Sequence, residues 1–90
     1  MDLELEIQQI LAVHAGEPVD YVAVFMLLNT AAGGNYQERY AEPDLRAGLR
    51  QLLAAGTIEA WGTERRLEPA SVIPGETPCL FRLASRPANA

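Results

Sequence analysis

Ninety residues, 49% of them apolar, with a formal net charge of −5, fit one packed domain and exclude two independent cores or a disordered chain. The longest apolar run, Tyr21 to Leu28, is far shorter than the roughly 18 residues of a membrane span. The acidic start MDLELEI lacks the basic residues of a signal peptide, so a soluble, cytoplasmic protein without a membrane partner is expected.

Asp2 is placed to cap a first helix, with Glu4 and Glu6 in its first turn, where carboxylates favour the helix dipole. Leu3, Ile7, Ile10, Leu11 and His14 fall on one face at helical spacing. Gly16 and Pro18 close the segment. Asp20 can cap a second helix running from Tyr21 to about Ala32, stopped by Gly33 and Gly34. Its YVAVFMLL start is apolar on all sides, which also suits a buried strand. The Met, Leu and Ala content favours the helix, and an apolar surface all round predicts the central position.

Asn35 to Glu42 is either a short helix, with Tyr36 and Tyr40 one turn apart, or an ordered loop. Tyrosines at such a position pack their rings on the core edge and hydrogen-bond outward; a ligand-facing pair is the alternative. Pro43 suits the first turn of a third helix, 43–55, with Leu45, Leu49, Leu52 and Leu53 as its buried stripe. Gly56 ends it. The period then changes to two, giving strands near Thr57–Trp61 and Leu80–Ala84. Residues 62–78, broken by Pro69, Pro74 and Pro78, form either a mobile wing or a folded-over flap. Residues 86–90 read as a loose tail. The expected core is Phe25, Leu28, Leu45, Leu49, Leu52, Ile58, Phe81 and Leu83.

PDLRAGLRQLLAAGTIEAW, taken with the later CLFRLAS, resembles the C-terminal half of a winged helix-turn-helix domain. The resemblance implies an α+β fold over residues 1–85, with a three-helix core followed by a two-stranded antiparallel wing hairpin. The link from Gly33 to Glu42 is longer than an ordinary helix-turn-helix turn. It shortens only if Tyr36 to Tyr40 is itself the second helix, which would free Asp2 to Ala15 for dimerisation.

Residues 1–38 hold six acids (Asp2, Glu4, Glu6, Glu17, Asp20, Glu38) and no base, whereas residues 39–90 set seven arginines against six acids. There is no lysine. Arginine suits bidentate contact with phosphate or guanine, although a GC-rich coding bias explains the missing lysine equally well. If the usual winged-helix mode carries over, Arg46, Arg50 and Gln51 face bases or phosphates of double-stranded DNA, and Arg65 and Arg66 meet the backbone or minor groove. The protein is then a small transcriptional regulator with recognition helix 43–55 and wing 62–78. Otherwise Arg46 and Arg50 are solvated residues on the helix surface, paired with Glu42 or Asp44. The alternative is a winged-helix-like module that binds another protein and no nucleic acid, which net acidity favours. A homodimer is expected on either view, because exposed Leu5, Val13 or Trp61 would suit a small monomer poorly.

Enzymatic chemistry has no candidate here. The sequence shows no phosphate loop and no nucleophile beside a histidine. Glu64, Glu68 and Glu76 share a loop without a readable partner. The single cysteine, Cys79, and single histidine, His14, supply neither an intramolecular disulfide nor a metal site. No metal and no cofactor are expected.

Overall fold

The computed structural model describes residues 2–15, 17–30 and 34–84. Gly16, the Ala31–Gly33 stretch and the tail 86–90 lie outside the described residues, as does Arg86. Helix α1 spans Leu3–Val13, and the Asp2 carboxylate accepts from the Glu4 amide at 3.1 Å. Its buried side chains are Ile7 and Leu11, with Leu3 and Ile10 partly covered. His14 follows as the C-cap and is half-buried.

A two-residue strand, β1 (Val19–Asp20), comes next and leads directly into α2 (Tyr21–Leu28). Asp20 caps α2 by accepting from the Ala23 amide at 2.8 Å. The helix stops at Leu28, four residues short of the expected end. The reason is Asn29, which is fully buried. Its Nδ2 donates back to the Phe25 carbonyl at 2.9 Å, while its Oδ1 accepts from the amides of Arg39 and Tyr40, the latter at 2.8 Å. The Asn29 carbonyl accepts from the Gln37 amide at 2.6 Å, and Thr30 bridges Tyr36. A buried amide thus ties the following chain across the helix end, and residues 34–41 form the ordered loop of the two alternatives, with no helix. The long link between α2 and the next helix therefore stands.

Helix α3 (Glu42–Ala55) buries Leu45, Gly48, Leu49, Leu52 and Leu53. Gly48 lets α1 approach closely, since a Cβ there would lie 3.3 Å from the Ile7 Cδ1. Gly56 ends the helix at φ 78°, a left-handed conformation that costs a side-chain-bearing residue about 1–2 kcal/mol.

Strands β2 (Ile58–Trp61) and β3 (Leu80–Leu83) pair antiparallel, with Ile58 opposite Leu83 and Ala60 opposite Phe81. β1 adds to the other side of β3, with Val19 opposite Phe81, so the sheet has three strands in the order β1-β3-β2 instead of the expected two. Ile58, Ala60 and Phe81 point inward and close the core against α1 and α3. Of the expected core, Phe25 and Leu83 are only partly buried; Ile7, Leu11, Val24, Leu53, Ala60 and Val72 complete it.

One further expectation is corrected, and one of two alternatives is decided. Helix α2 is not central: its Val24 and Leu28 are buried, but Val22, Met26 and Leu27 face outward. The centre belongs to α3, whose stripe meets α1, the sheet and the loop. Residues 62–78 are the flap and not a free wing. A tight turn brings the Gly62 amide to the Arg65 carbonyl at 2.8 Å, and the Leu67 amide donates to the Ala60 carbonyl at 2.8 Å. A 3-10 turn at Pro69–Ser71 then packs on α3, and Val72 and Pro74 are buried.

Candidate functional site

Arg46 sits where the flap crosses α3. Its guanidinium reaches Glu42 and Glu76, each at 3.4 Å, and lies 5.7 Å from the centre of the Tyr21 ring. Gly75 passes directly against it at φ 89°; a Cβ there would come within 2.9 Å of the Arg46 guanidinium carbon. Burial raises the Tyr21 hydroxyl above its ordinary value, and the charge of Glu42 adds to the effect while Arg46 opposes it. Arg46 therefore fastens the flap to α2 and α3.

The other expected contact residues diverge. Arg50 is exposed on the rim of a cleft of about 450 Å³ between α3 and the flap, shared with Ala54, Glu68, Pro69, Ala70, Val72 and Ile73. Gln51, the next residue, lines a separate surface with Asp2, Glu4 and Asp44. Arg65 is exposed in the turn after β2. Arg66 pairs with Glu59 at 3.4 Å. Among the described residues, Arg50 and Arg65 make no ion pair, but Glu68 borders both the Arg50 cleft and the one beside Arg66. Acids therefore accompany Arg46 and Arg66, Arg50 and Arg65 carry no ion pair among the described residues, and Gln51 lies on a different surface.

Two polar clusters had no local sequence signal. On the outer face of the sheet, the Trp61 Nε1 and Arg82 Nε donate to one Glu59 oxygen at 3.0 and 3.3 Å, and Arg66 donates to the other. The Arg82 guanidinium also stacks 4.8 Å from the Trp61 ring centre. Burial pushes the Glu59 carboxyl up, but the bonds from Trp61 and Arg82 and the nearby arginine charges outweigh it and leave the group below its ordinary value. Beside α1, the Tyr40 hydroxyl donates to Glu6 at 2.6 Å and Arg39 donates to the same oxygen at 2.9 Å. The Tyr40 bond holds Glu6 below its ordinary value; burial opposes the shift and Arg39 reinforces it. Tyr40 thus packs on the core and bonds outward, whereas Tyr36 is exposed and tilts against Phe25 at 6.5 Å.

The remaining feature is apolar. Val22, Met26 and Leu27 on α2 are 64, 44 and 41% exposed, and Val13 at the end of α1 is 80% exposed. Leu27 borders a groove of about 300 Å³ with Glu6, Gln9, Ile10, Val13 and His14. No charged side chain lies between Tyr21 and Leu28. Leu5 is exposed as expected, but Trp61 is half-covered by its stack with Arg82.

Cys79 is half-buried, and burial pushes its thiol up, away from the reactive thiolate. Among the described residues no group of acids, His and Cys is arranged to hold a metal, and no helix is long and apolar enough to cross a membrane. Over the described residues the fold is α+β, with three α-helices and a three-stranded antiparallel sheet. Comparison with protein-family models, curated proteins and solved structures finds no significant match.

Proposed function

We propose that this domain is a protein-interaction module that docks a partner on the outer face of α1 and α2. The observation that carries the reading is α2 itself: an eight-residue helix without a charged side chain leaves Val22, Met26 and Leu27 in solvent. Such side chains singly are ordinary on a surface, but three on one short helix, one of them sharing a groove with Val13 of the neighbouring helix, support an interaction site. Burying them against a partner gains roughly 25 cal/mol per Å² of apolar area, offset in part by the cost of association.

DNA binding is the second reading. The order helix, strand, helix, helix, strand, strand, with β1 added to the hairpin, supports the winged-helix resemblance. Arg50 and Arg65 support it too, because neither has an acidic partner among the described residues. Against it stand the acids beside Arg46 and Arg66 and the flap that crosses α3. Phosphate affinity requires uncompensated positive charge, so the interaction reading is preferred.

One comparison separates them. The wild type, a Met26→Asp/Leu27→Asp variant and an Arg50→Ala/Arg65→Ala variant are tested as immobilised bait and in mobility shifts with mixed duplex at low salt. Partner capture abolished only by the α2 substitutions, with no shift of duplex, supports the module. A shift abolished by the arginine substitutions and weakened by salt supports the regulator instead.

A further inference from the structure

The α1–α2 face also carries information about what would cover it. We infer that its partner is a basic amphipathic helix of another protein, an inference that rests on the docking reading above. The first argument is backbone chemistry. Helices satisfy their own amides and carbonyls internally, so this face offers no row of free groups to an added strand. Recognition must therefore rest on side-chain burial, and a helix presenting anchors at i, i+3, i+4 and i+7 is the economical way to fill a groove between helices. The groove beside Leu27 takes one such anchor, and Val22 and Met26, four residues apart on α2, are exposed on the same helix. Met26 supplies a deformable thioether surface that accepts varied apolar shapes.

Charge selects the partner's flanks. Every formal charge in residues 1–38 is negative. Glu17 is exposed in the connection between α1 and β1, Asp20 is exposed at the head of α2, Glu38 is exposed beside the Tyr36 segment, and Glu6 lines the groove. The neighbouring base is Arg39, already held by Glu6, and His14 lines the groove as well. A second copy related by a two-fold axis would bring the same acid-rich half of the chain against itself, and like charges across an interface oppose association. Lysine or arginine flanks on a different chain meet the exposed Glu17, Asp20 and Glu38 of this half favourably. They also speed encounter and make it dependent on salt.

The test uses a dye-labelled amphipathic peptide of about five helical turns with leucines along one stripe and lysines beside it. A matched peptide carries glutamate for each lysine. Fluorescence anisotropy is measured against the wild type, against Val13→Asp/Leu27→Asp, and against Glu17→Lys/Glu38→Lys; all four positions are at the surface, and melting curves check that each variant folds. The lysine peptide is expected to bind the wild type at least tenfold more tightly than the apolar-face variant and several-fold more tightly than the charge variant, with affinity falling as salt rises. Equal or tighter binding of the glutamate peptide would overturn the basic partner while leaving the docking surface intact. Binding unaffected by Val13→Asp/Leu27→Asp, or no binding of either peptide, overturns both. A wild type that sediments as a dimer and is split by Leu27→Asp assigns the face to a second copy and also overturns the inference.

Discussion

Single residues set the connections that hold this small domain in one arrangement. Asn29 has three side-chain hydrogen bonds and no exposure. Asn29→Ala removes the acceptor for the part-buried Arg39 and Tyr40 amides, and leaving such donors unpaired costs roughly 1–3 kcal/mol in total. Urea denaturation read by circular dichroism checks this; a loss under about 1 kcal/mol would mean that water replaces the side chain at little cost. Glu6 gives a prediction with a sign. Its carboxyl titrates below the ordinary 4.5 in the folded protein, so its stabilisation is complete above that value and is lost as pH falls through the folded one. Glu6→Gln should lower the melting temperature at neutral pH, and the gap to wild type should close in acid well below 4.5. Glu59 titrates low as well, so the wild type itself weakens in acid, and only the difference between the two proteins reports on Glu6. A gap independent of pH would assign the effect to packing.

At the scale of elements, α3 is the organising piece. Leu49 is fully buried in its stripe, and Leu49→Ala should cost about 2–5 kcal/mol in equilibrium unfolding, the range for a large core truncation. The run from α3 through Gly56 into β2 and β3 was legible because each step is local: a leucine stripe, a glycine stop, then alternation. What failed to show depended on distant partners. β1 is two residues long and exists only because Phe81 and Leu80 lie opposite, so it has no period of its own. The early end of α2 depends on amides at Arg39 and Tyr40, ten and eleven positions away. The fold-back of the flap rests on Val72 and Pro74, single buried residues without a pattern. The candidate arginines were visible as a residue type on one half of the chain, and the Arg46–Glu42 pair is local, four positions apart on α3, but the contacts of Arg46 with Glu76 and of Arg66 with Glu59 depend on how the loop folds back. The apolar outer face of α2 was hidden differently. Its sequence is fully apolar, which is equally compatible with complete burial.

For the whole molecule, the short turn after β2 has a consequence for how the protein behaves when crowded. An open sheet ends in two unpaired rims, and such rims template fibril growth. Here the β2 rim is occupied by its own chain, through the Leu67 amide on the Ala60 carbonyl and the bridge between Trp61 and Arg66. The opposite rim, β1, offers two residues, too few to seed stacking. Replacing Gly62–Leu67 by a glycine–serine linker of equal length should leave β2 uncovered and shorten the lag before thioflavin-positive aggregates form in concentrated solution. An unchanged lag would show that the covering turn is dispensable. With it in place, a chain so rich in apolar residues is expected to resist polymerising through its own sheet even while part of α2 stays exposed.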